Sequence, residues 1–305
     1  MTVTPLVSIC CLTYNHAPFI KDCLDGFLAQ KTSFPIEILI HDDASTDGTD
    51  IIIKEYAERN PNVIFPLFEK ENQYSKGHRG SMDVEFNYSR ARGKYIAYCE
   101  GDDYWTDPLK LQKQVDFLES HPDYSVCFHR CVHLIEKTGK YIEDDCGFLF
   151  PQGQEGVDVT VAMFFKDWIT QPLTMMFRYE SFNAEWQKRY RYYRDTHEIY
   201  HLLKTGKGRI LSFIGGVYRV HSKGIASMLS PIEYSKSYLP IDRELYRKIP
   251  EEATKRGYCE TLQESVYAYI KVNKLKSLYY ALVKFSINKQ LGSLGHNIVR
   301  IFFNR

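Results

Sequence analysis

Three short apolar runs, each followed by polar residues, most constrain how this chain can fold. They are "LVSICCL" (6–12) before "TYNH", "IEILI" (36–40) before "HDDAS", and "KYIAYCE" (94–100) before "GDDYW". Nearly continuous apolar runs are typical of strands buried on both faces. Helical patterns such as "APFIKDCLDGFLAQ" (17–30) lie between the runs. This alternation predicts βαβ units and an α/β fold with a mostly parallel central sheet flanked by helices.

The polar clusters after these runs are expected to meet, because ligands bind beyond the carboxyl ends of parallel strands. Glu100, Asp102 and Asp103 lie in the third cluster, where neighbouring negative charges are costly without a positive partner. A divalent metal, an Arg and Lys cluster or a solvated loop could each fill that role. If the partner is a metal, carboxylates on a loop suit Mg²⁺ or Mn²⁺ bound together with substrate phosphates.

Composition excludes several other classes of protein. The formal net charge is +1, so no field of the whole protein favours nucleic acid as a partner. No apolar run approaches the length that spans a bilayer, and the N-terminus does not read as a signal peptide. The eight cysteines form no CxxC pair, so they read as small buried residues of a cytoplasmic protein.

Several motifs in order resemble the inverting glycosyltransferases of family 2, which have the GT-A fold. They are "LTYN", "DDASTDGT" and "GKYIAYCEGDDYWTDPLKLQKQ". The resemblance covers residues 5–225. It implies a Rossmann-like GT-A domain over 1–225, with a nucleotide-sugar-binding half (1–107) and an acceptor-side half (108–225). Residues 226–305 are expected to form a helical C-terminal extension.

The family implies that a sugar moves from a nucleotide donor, usually a UDP-sugar, to a hydroxyl of an acceptor. Here the acceptor would be a glycan or a lipid-linked acceptor in surface polysaccharide synthesis, and the cofactor Mn²⁺ or Mg²⁺. The residues implied for binding the nucleotide sugar are Thr13, Tyr14, Asn15, Asp42, Asp43, Lys76, Glu100, Asp102 and Arg219. Those implied on the acceptor side are Asp103, Trp105 and Gln171, and those implied for the metal are Asp102 and His221.

Two positions depart from the family pattern, and several have structural alternatives. Ala44 stands where the family often has glycine, and Glu100 stands where aspartate is usual. Asp42 and Asp43 could cap a helix, and Asp103 could lie in a solvated turn. Trp105 could anchor the core. Lys76 and Arg79 could belong to a solvated loop.

The general base is expected in the second half of the chain, since an inverting enzyme needs a carboxylate opposite the leaving group. "YRDTHEIYHLLKTG" (193–206) matches the family context of that base, at the start of a helix, and Asp195 is the choice. The alternative is that Asp195 and Glu198 form a capping box. Downstream, "GRILSFIGGVYRVH" (208–221) reads as a hairpin or as paired strands that end at His221.

A competing motif is "HEIYH" (197–201), a literal H-E-x-x-H that in zinc metallopeptidases places two histidines on one helix face. Its extended form fails here, and a third ligand further along the chain, such as Glu233, has no support in the sequence. A sugar-phosphate nucleotidyltransferase is a second alternative, but the glycine-rich loop it needs is absent after the first strand. An inactive binding module of the same fold is a third alternative.

The C-terminal segment from residue 265 to 305 carries seven basic residues and no acidic one. Its lysines alternate with aromatic and aliphatic residues. A basic amphipathic helix of this kind can lie on an anionic membrane surface, which here would be the inner face of the plasma membrane. Alternatively, the apolar face of the helix packs on the rest of the chain.

Overall fold

The structure of the protein is a computed structural model. It describes residues 4–78, 80–144, 146–150, 154–166, 169–222, 224 and 229–272. The chain forms two compact units, Met1–Ser227 and Met228–Arg305. Within the described residues, no helix combines the length and the apolar character needed to cross a membrane.

Among its described residues, the first unit contains ten strands. They are β1 (Val7–Thr13), β2 (Ile36–Asp42), β3 (Ile64–Phe68), β4 (Tyr95–Tyr98), β5 (Tyr104–Trp105), β6 (Tyr124–Ile135), β7 (Lys140–Glu143), β8 (Gly156–Val159), β9 (Met176–Arg178) and β10 (Lys207–Val220). Eight of them follow the order β3-β2-β1-β4-β9-β6-β10-β5, while β7 pairs with β6 and β8 with β10.

The sheet is mixed. Strands β3, β2, β1 and β4 are parallel neighbours, as the alternation in the sequence predicts. Strand β9 is antiparallel to both β4 and β6, whereas β6 and β10 are parallel. In the parallel part, Thr13 is level with Asp42 at the carboxyl edge. The loops that follow β1, β2 and β4 therefore lie beside one another at this edge.

In the part of the first unit that the structure describes, six α-helices accompany the sheet. They are α1 (Ile20–Leu28), α2 (Thr49–Arg59), α3 (Lys110–Ser120), α4 (Val161–Phe164), α5 (Glu185–Lys188) and α6 (Asp195–Thr205). The apolar face of α1 packs into the core beside β1 and β4, where Ile9, Phe27 and Tyr95 are fully buried. Burial of this kind accounts for the unbroken apolar runs in the sequence.

The segment from residue 208 to 221 forms no hairpin. It belongs to a single strand of 14 residues, β10, and the expectation of a hairpin or paired strands is wrong. Gly215 and Gly216 suggested the turn, but neither has a positive φ. Each is small because a neighbour is close: a Cβ at Gly215 would lie 2.8 Å from the ring of His129, and one at Gly216 would lie 2.8 Å from Leu173.

The second unit contains helices α7 (Pro231–Lys248) and α8 (Glu252–Val272). Leu239, Tyr258 and Leu262 form its buried cluster. Ser230 and Glu233 form a capping box at the start of α7. This cap gives Glu233, suggested above as a zinc ligand, a structural role. The proposed membrane-binding tail lies outside the described residues from residue 273 onward.

Candidate active site

The loops after β1 and β2 are held together by hydrogen bonds. The backbone N–H of Asn15 donates to Ser45 Oγ at 2.9 Å, and the N–H of Thr46 donates to Asn15 Oδ1 at 2.8 Å. The Ser45 hydroxyl in turn donates to Asp42 Oδ1 at 2.6 Å. Through Ser45, these bonds connect Asn15 and Asp42, two residues expected to bind nucleotide, in one fixed frame.

Asn15 and Ala44 are the two non-glycine residues with positive φ in the described chain, at 55° and 61°. Asparagine tolerates this left-handed conformation, but for alanine it is strained. The departure from the family pattern at Ala44 therefore has a physical consequence. The backbone at position 44 has a conformation that suits glycine, although the residue there is alanine.

The aromatic ring of Tyr14 is available to a ligand, since the residue is 46% exposed. Thr13 beside it is buried, and its Oγ1 has no hydrogen-bond partner. Gly101 packs on Thr13 so closely that a Cβ at position 101 would lie 2.9 Å from the threonine side chain. The glycine thus lets the loop with Asp102 and Asp103 approach the end of β1.

Asp42 and Asp43 are both buried, and neither caps α2. Burial raises the pKa of Asp42, although hydrogen bonds from Ser45 work in the opposite direction. Asp43 accepts from the backbone N–H groups of Gln73 (2.6 Å) and Tyr74 (3.1 Å). Asp43 therefore fixes the start of the loop that carries the predicted basic residues.

Lys76, in that loop, is about half exposed and forms an ion pair with Glu71. A role of Lys76 in binding phosphate stays a prediction. The neighbouring candidate, Arg79, lies outside the described residues.

Asp102 lies between two imidazoles. The Nε2 atom of His221 is 3.0 Å from Asp102 Oδ2, and that of His16 is 3.6 Å from the same oxygen. Burial alone would raise the pKa of Asp102, but the hydrogen bond from His221 and the charges of both histidines lower it below its ordinary value. The structure thus brings the two predicted metal ligands together and adds His16. The sequence analysis missed this residue, although it ends the quoted "TYNH" cluster.

Glu100 lies beside Asp102 in a different environment. Burial is the main cause that raises its pKa to about 8, and the charges of Asp102, Asp83 and Asp195 add to the effect. The Tyr98 hydroxyl donates to Glu100 Oε1 at 3.2 Å. The pKa of Glu100 is therefore shifted in the direction opposite to that of its neighbour Asp102.

The residues of this cluster fit a divalent cation. Carboxylate oxygens of Glu100, Asp102 and Asp103 lie within 4.8 Å of one another. Asp102 Oδ1 is buried and makes no hydrogen bond. The carboxyl group whose pKa is lowered therefore has one oxygen without a partner. An oxygen of this kind with an adjacent imidazole is a donor set that Mn²⁺ or Mg²⁺ can use.

Asp103 and Arg219 bind each other and neighbouring elements. Asp103 is buried and accepts from the Arg219 backbone N–H at 2.8 Å, so it does not lie in a solvated turn. The Arg219 guanidinium forms ion pairs with Asp22 and Glu136 and lies 4.5 Å from the ring centre of Tyr104. This arrangement gives Arg219 a structural role, and its contact with phosphate stays a prediction.

On the acceptor side, Trp105 belongs to the core. It is 3% exposed, its Nε1–H donates to the Leu173 carbonyl at 2.9 Å, and its ring packs on Phe27 at 4.7 Å. The structure thus supports the core-anchor alternative for Trp105. Gln171 is partly exposed and lines a small cavity together with His129 and other polar residues.

Asp195 is the first residue of α6, as expected for the base. The cap of this helix is His197, whose Nδ1 accepts from the backbone N–H of Arg194 at 3.1 Å. The capping box of this helix is formed by Arg194 and His197, so the alternative of a capping box between Asp195 and Glu198 is wrong. Burial raises the pKa of Asp195, and its charge acts on Glu100, so Asp195 lies within electrostatic range of the acidic edge.

Gly80 packs closely against the segment that precedes Asp195. A Cβ at Gly80 would lie 1.4 Å from the Tyr193 carbonyl oxygen. The backbone around residue 80 therefore lies directly on the backbone that precedes α6.

The other members of the HEIYH motif have structural partners. Glu198 accepts a hydrogen bond of 3.0 Å from the Tyr88 hydroxyl, and burial raises its pKa to about 8. His201 is 2.9 Å from the Tyr190 hydroxyl and stacks on Trp186. Among the residues that the structure describes, these side chains belong to no cluster suited to a metal. The geometry does not support the zinc peptidase alternative.

Comparisons with known proteins address the family. The model of the family described as "Glycosyl transferase family 2" matches residues 8–220. An uncharacterized protein of Mycobacterium tuberculosis is 50% identical over 133 residues, which are 44% of this chain and 37% of that protein. TuaG of Bacillus subtilis, whose name places it in teichuronic acid biosynthesis, is 32% identical over 115 residues, 37% of this chain and 42% of TuaG. Each match spans less than half of the relative's length.

Two solved structures resemble the chain in fold. S. aureus TarS 1–349 in complex with UDP-GlcNAc has a TM-score of 0.60 and 19% identity, over 88% of this chain and 75% of that one. The mannosyltransferase PcManGT from Pyrobaculum calidifontis, in complex with GDP-Man and Mn²⁺, has a TM-score of 0.55 and 18% identity, over 98% and 81%. These likenesses confirm the expected α/β fold of the GT-A type.

Proposed function

The chain belongs to glycosyl transferase family 2, and on that premise we propose that it is a metal-dependent inverting glycosyltransferase. The donor would be a nucleotide sugar, with a UDP-sugar as the first choice. The acceptor would be a hydroxyl of a glycan or of a lipid-linked glycan in surface polysaccharide synthesis. The observation that carries the proposal is the partnerless Asp102 Oδ1, on an acid with a lowered pKa that lies beside Glu100, the residue on which the charge of Asp195 acts.

The donor would bind at the carboxyl edge. Tyr14 offers an exposed ring to the base, and the frame of Asn15, Ser45 and Asp42 fixes the loops around it. Asp102 and His221 would hold the cation, with Glu100 beside them. The cation would neutralise the charge that develops on the departing diphosphate.

Asp195 would take the proton from the acceptor hydroxyl as that oxygen attacks the anomeric carbon. A raised pKa suits this role, because a base works best when its pKa lies closer to the working pH. His197 would fix the backbone just before Asp195. Inversion follows if the attack and the departure occur in one displacement on opposite faces of the sugar.

The proposed class of donor is supported by the nucleotide sugars bound in the two structures of similar fold. TarS was crystallised with UDP-GlcNAc and PcManGT with GDP-Man and Mn²⁺, so both nucleotides belong in the test. Membership of polysaccharide synthesis is supported by the name of TuaG. These names describe the relatives, and the donor and acceptor of this chain are part of the proposal.

A thermal-shift screen of UDP- and GDP-sugars with Mn²⁺ tests the donor. A ligand at about 100 times its Kd stabilises the folded state by about 2.7 kcal/mol, and a shift of several degrees is expected for one nucleotide. Asp102→Asn should abolish the metal-dependent part of that shift. Asp50→Asn, at a partly exposed residue of α2 that pairs with Lys54, is the control. No shift with any nucleotide sugar and Mn²⁺ would contradict the proposal.

We also propose that the enzyme acts on the cytoplasmic side of the membrane and that its basic C-terminal segment docks there. The support is the run of basic residues without acids. Full-length chain should sediment with anionic liposomes, and a variant with Lys271, Lys274 and Lys276 changed to Gln should sediment less. Equal sedimentation of both chains would remove the docking proposal and leave the transfer reaction untouched.

A further inference from the structure

The side chain of His16 has no role in the reaction as described so far. Its Nε2 atom is 3.6 Å from Asp102 Oδ2, the oxygen that His221 Nε2 approaches at 3.0 Å. The two imidazole rings are nearly perpendicular, with centres 6.5 Å apart. His16 is 18% exposed and His221 is 4% exposed, so His16 lies on the solvent side of the acid, from which a ligand would enter.

The backbone holds His16 at this place. Its carbonyl accepts from the N–H groups of Phe19 and Ile20, each at 2.8 Å. The preceding residue, Asn15, is fixed by Ser45 and Thr46. Because main-chain atoms make the turn, a change of the His16 side chain leaves the turn intact.

The distances are compatible with shared coordination. Neighbouring ligand atoms around an octahedral ion with bonds of about 2.1 Å lie about 3 Å apart. The 3.0 Å between His221 Nε2 and Asp102 Oδ2 matches this separation, and the 3.6 Å of His16 is slightly longer. Mn²⁺ also binds oxygen ligands, but as a transition metal it accepts an imidazole nitrogen more readily than Mg²⁺, which keeps oxygen ligands and waters.

We propose that His16 is a second imidazole ligand of the cation held by Asp102 and His221, and that it makes the site select Mn²⁺ over Mg²⁺. The inference rests on the proposed function, since it concerns the same cation. It differs from two simpler roles of His16. One is an electrostatic partner that only keeps Asp102 ionised, and the other is a contact with the diphosphate of the donor.

Binding of the metal alone tests the proposal. Mn²⁺ is titrated into full-length chain without nucleotide and followed by electron paramagnetic resonance, and Mg²⁺ affinity is obtained by competition. In His16→Gln, the Mn²⁺ affinity should fall at least about tenfold, while Mg²⁺ affinity should stay within about threefold. His121→Gln, at an exposed histidine at the end of α3, is the control and should change neither affinity.

The number of bound imidazoles gives a second readout. Electron spin-echo modulation of bound Mn²⁺ should show two coupled imidazole nitrogens in the native chain and one in His16→Gln. Because the native chain alone gives the first number, the test holds even if the variant fails to fold. His16→Asn provides a second substitution.

Three results would overturn the inference. They are a single coupled nitrogen in the native chain, an equal loss of Mn²⁺ and Mg²⁺ affinity in the variant, and a loss of UDP affinity without any change in metal affinity. A separate transfer assay distinguishes failure of the proposed function. A chain that binds Mn²⁺ through two imidazoles but transfers no sugar would contradict the function and leave the metal site standing.

Discussion

Asp102 at the carboxyl edge and the acids beside α6 have opposite electrostatic surroundings. At the edge, Asp102 has two histidines beside it, and its pKa is lowered. Beside α6, burial raises the pKa of Asp83 to about 7 and that of Glu198 to about 8, with only neutral hydrogen-bond donors nearby. Carboxyl groups of one chemical type thus differ in protonation: the surroundings of Asp102 favour the ionised form, and those of Asp83 and Glu198 favour the protonated form.

Among the variants that test this contrast, Asp195→Asn is expected to have the largest effect. Removal of a general base costs about 10² to 10⁴-fold in rate, and a loss of about 10³-fold in kcat is expected with the affinity for donor unchanged. Transfer is measured at saturating donor, and donor affinity by thermal shift. Glu185→Gln, at an exposed residue of α5, serves as the control. A normal rate in Asp195→Asn would assign the base elsewhere.

Lys110 extends the comparison to a buried cation. Its amino group is fully buried, makes no hydrogen bond and lies 3.6 Å from the ring centre of Trp105. Burial lowers its pKa to about 7. Between pH 7 and the unfolded pKa of about 10.4, the unfolded chain binds more protons, so the contribution of Lys110 to stability rises with pH.

Lys110→Met should therefore raise the free energy of unfolding by about 2 to 4 kcal/mol at pH 7. The variant should lack the increase in stability between pH 7 and 10 that Lys110 gives the native chain. Denaturant titrations across this range measure both effects. Lys113→Met, at a partly exposed residue of the same helix paired with Asp107, should show neither. Parallel pH curves for the native chain and Lys110→Met would contradict the expectation.

Glu198→Gln probes the acids beside α6 with a smaller effect. The folded pKa of about 8 lies above the ordinary value of 4.5. The contribution of Glu198 to stability is therefore fully present below pH 4.5 and is lost as the pH rises through 8. The variant should be more stable than the native chain by about 2 kcal/mol at pH 6, with no such gain at pH 4.5. A gain that does not depend on pH would show that the carboxyl does not titrate in this range.

The smallest effect is expected at the strained residue of the edge. Ala44→Gly should raise the free energy of unfolding by about 0.5 kcal/mol, because glycine adopts positive φ without strain. Ala57→Gly, inside α2, is the matched control and should lower it by about 0.5 to 1 kcal/mol. Thermal unfolding of both variants checks the opposite signs. A loss of stability in Ala44→Gly would mean that the loop does not strain alanine.

The sequence predicted the parallel half of the sheet well, because β1, β2 and β4 are buried on both faces and therefore read as unbroken apolar runs. It failed at β10, where glycine at Gly215 and Gly216 reflects close packing on His129 and Leu173 and not a turn. A pattern along the chain does not distinguish these two causes. The neighbours responsible are distant in sequence.

The same limit applies to the site. Asp102 and His221 could be paired in advance only through the family resemblance, since 119 residues separate them. His16 has no motif of its own, and its place beside Asp102 depends on the register of β1 against β4. Trp105 and Arg219 looked available to ligands because sequence alone does not report that their polar groups have partners inside the protein.

The close contact of Gly80 with Tyr193 limits how this enzyme can be altered. Any side chain at position 80 would need the segment just before Asp195 to move, since only 1.4 Å separates the Tyr193 oxygen from a Cβ there. Variant libraries that aim at new acceptors should keep position 80 constant. Diversity is better placed at Tyr141 or Phe148, whose side chains point largely into solvent.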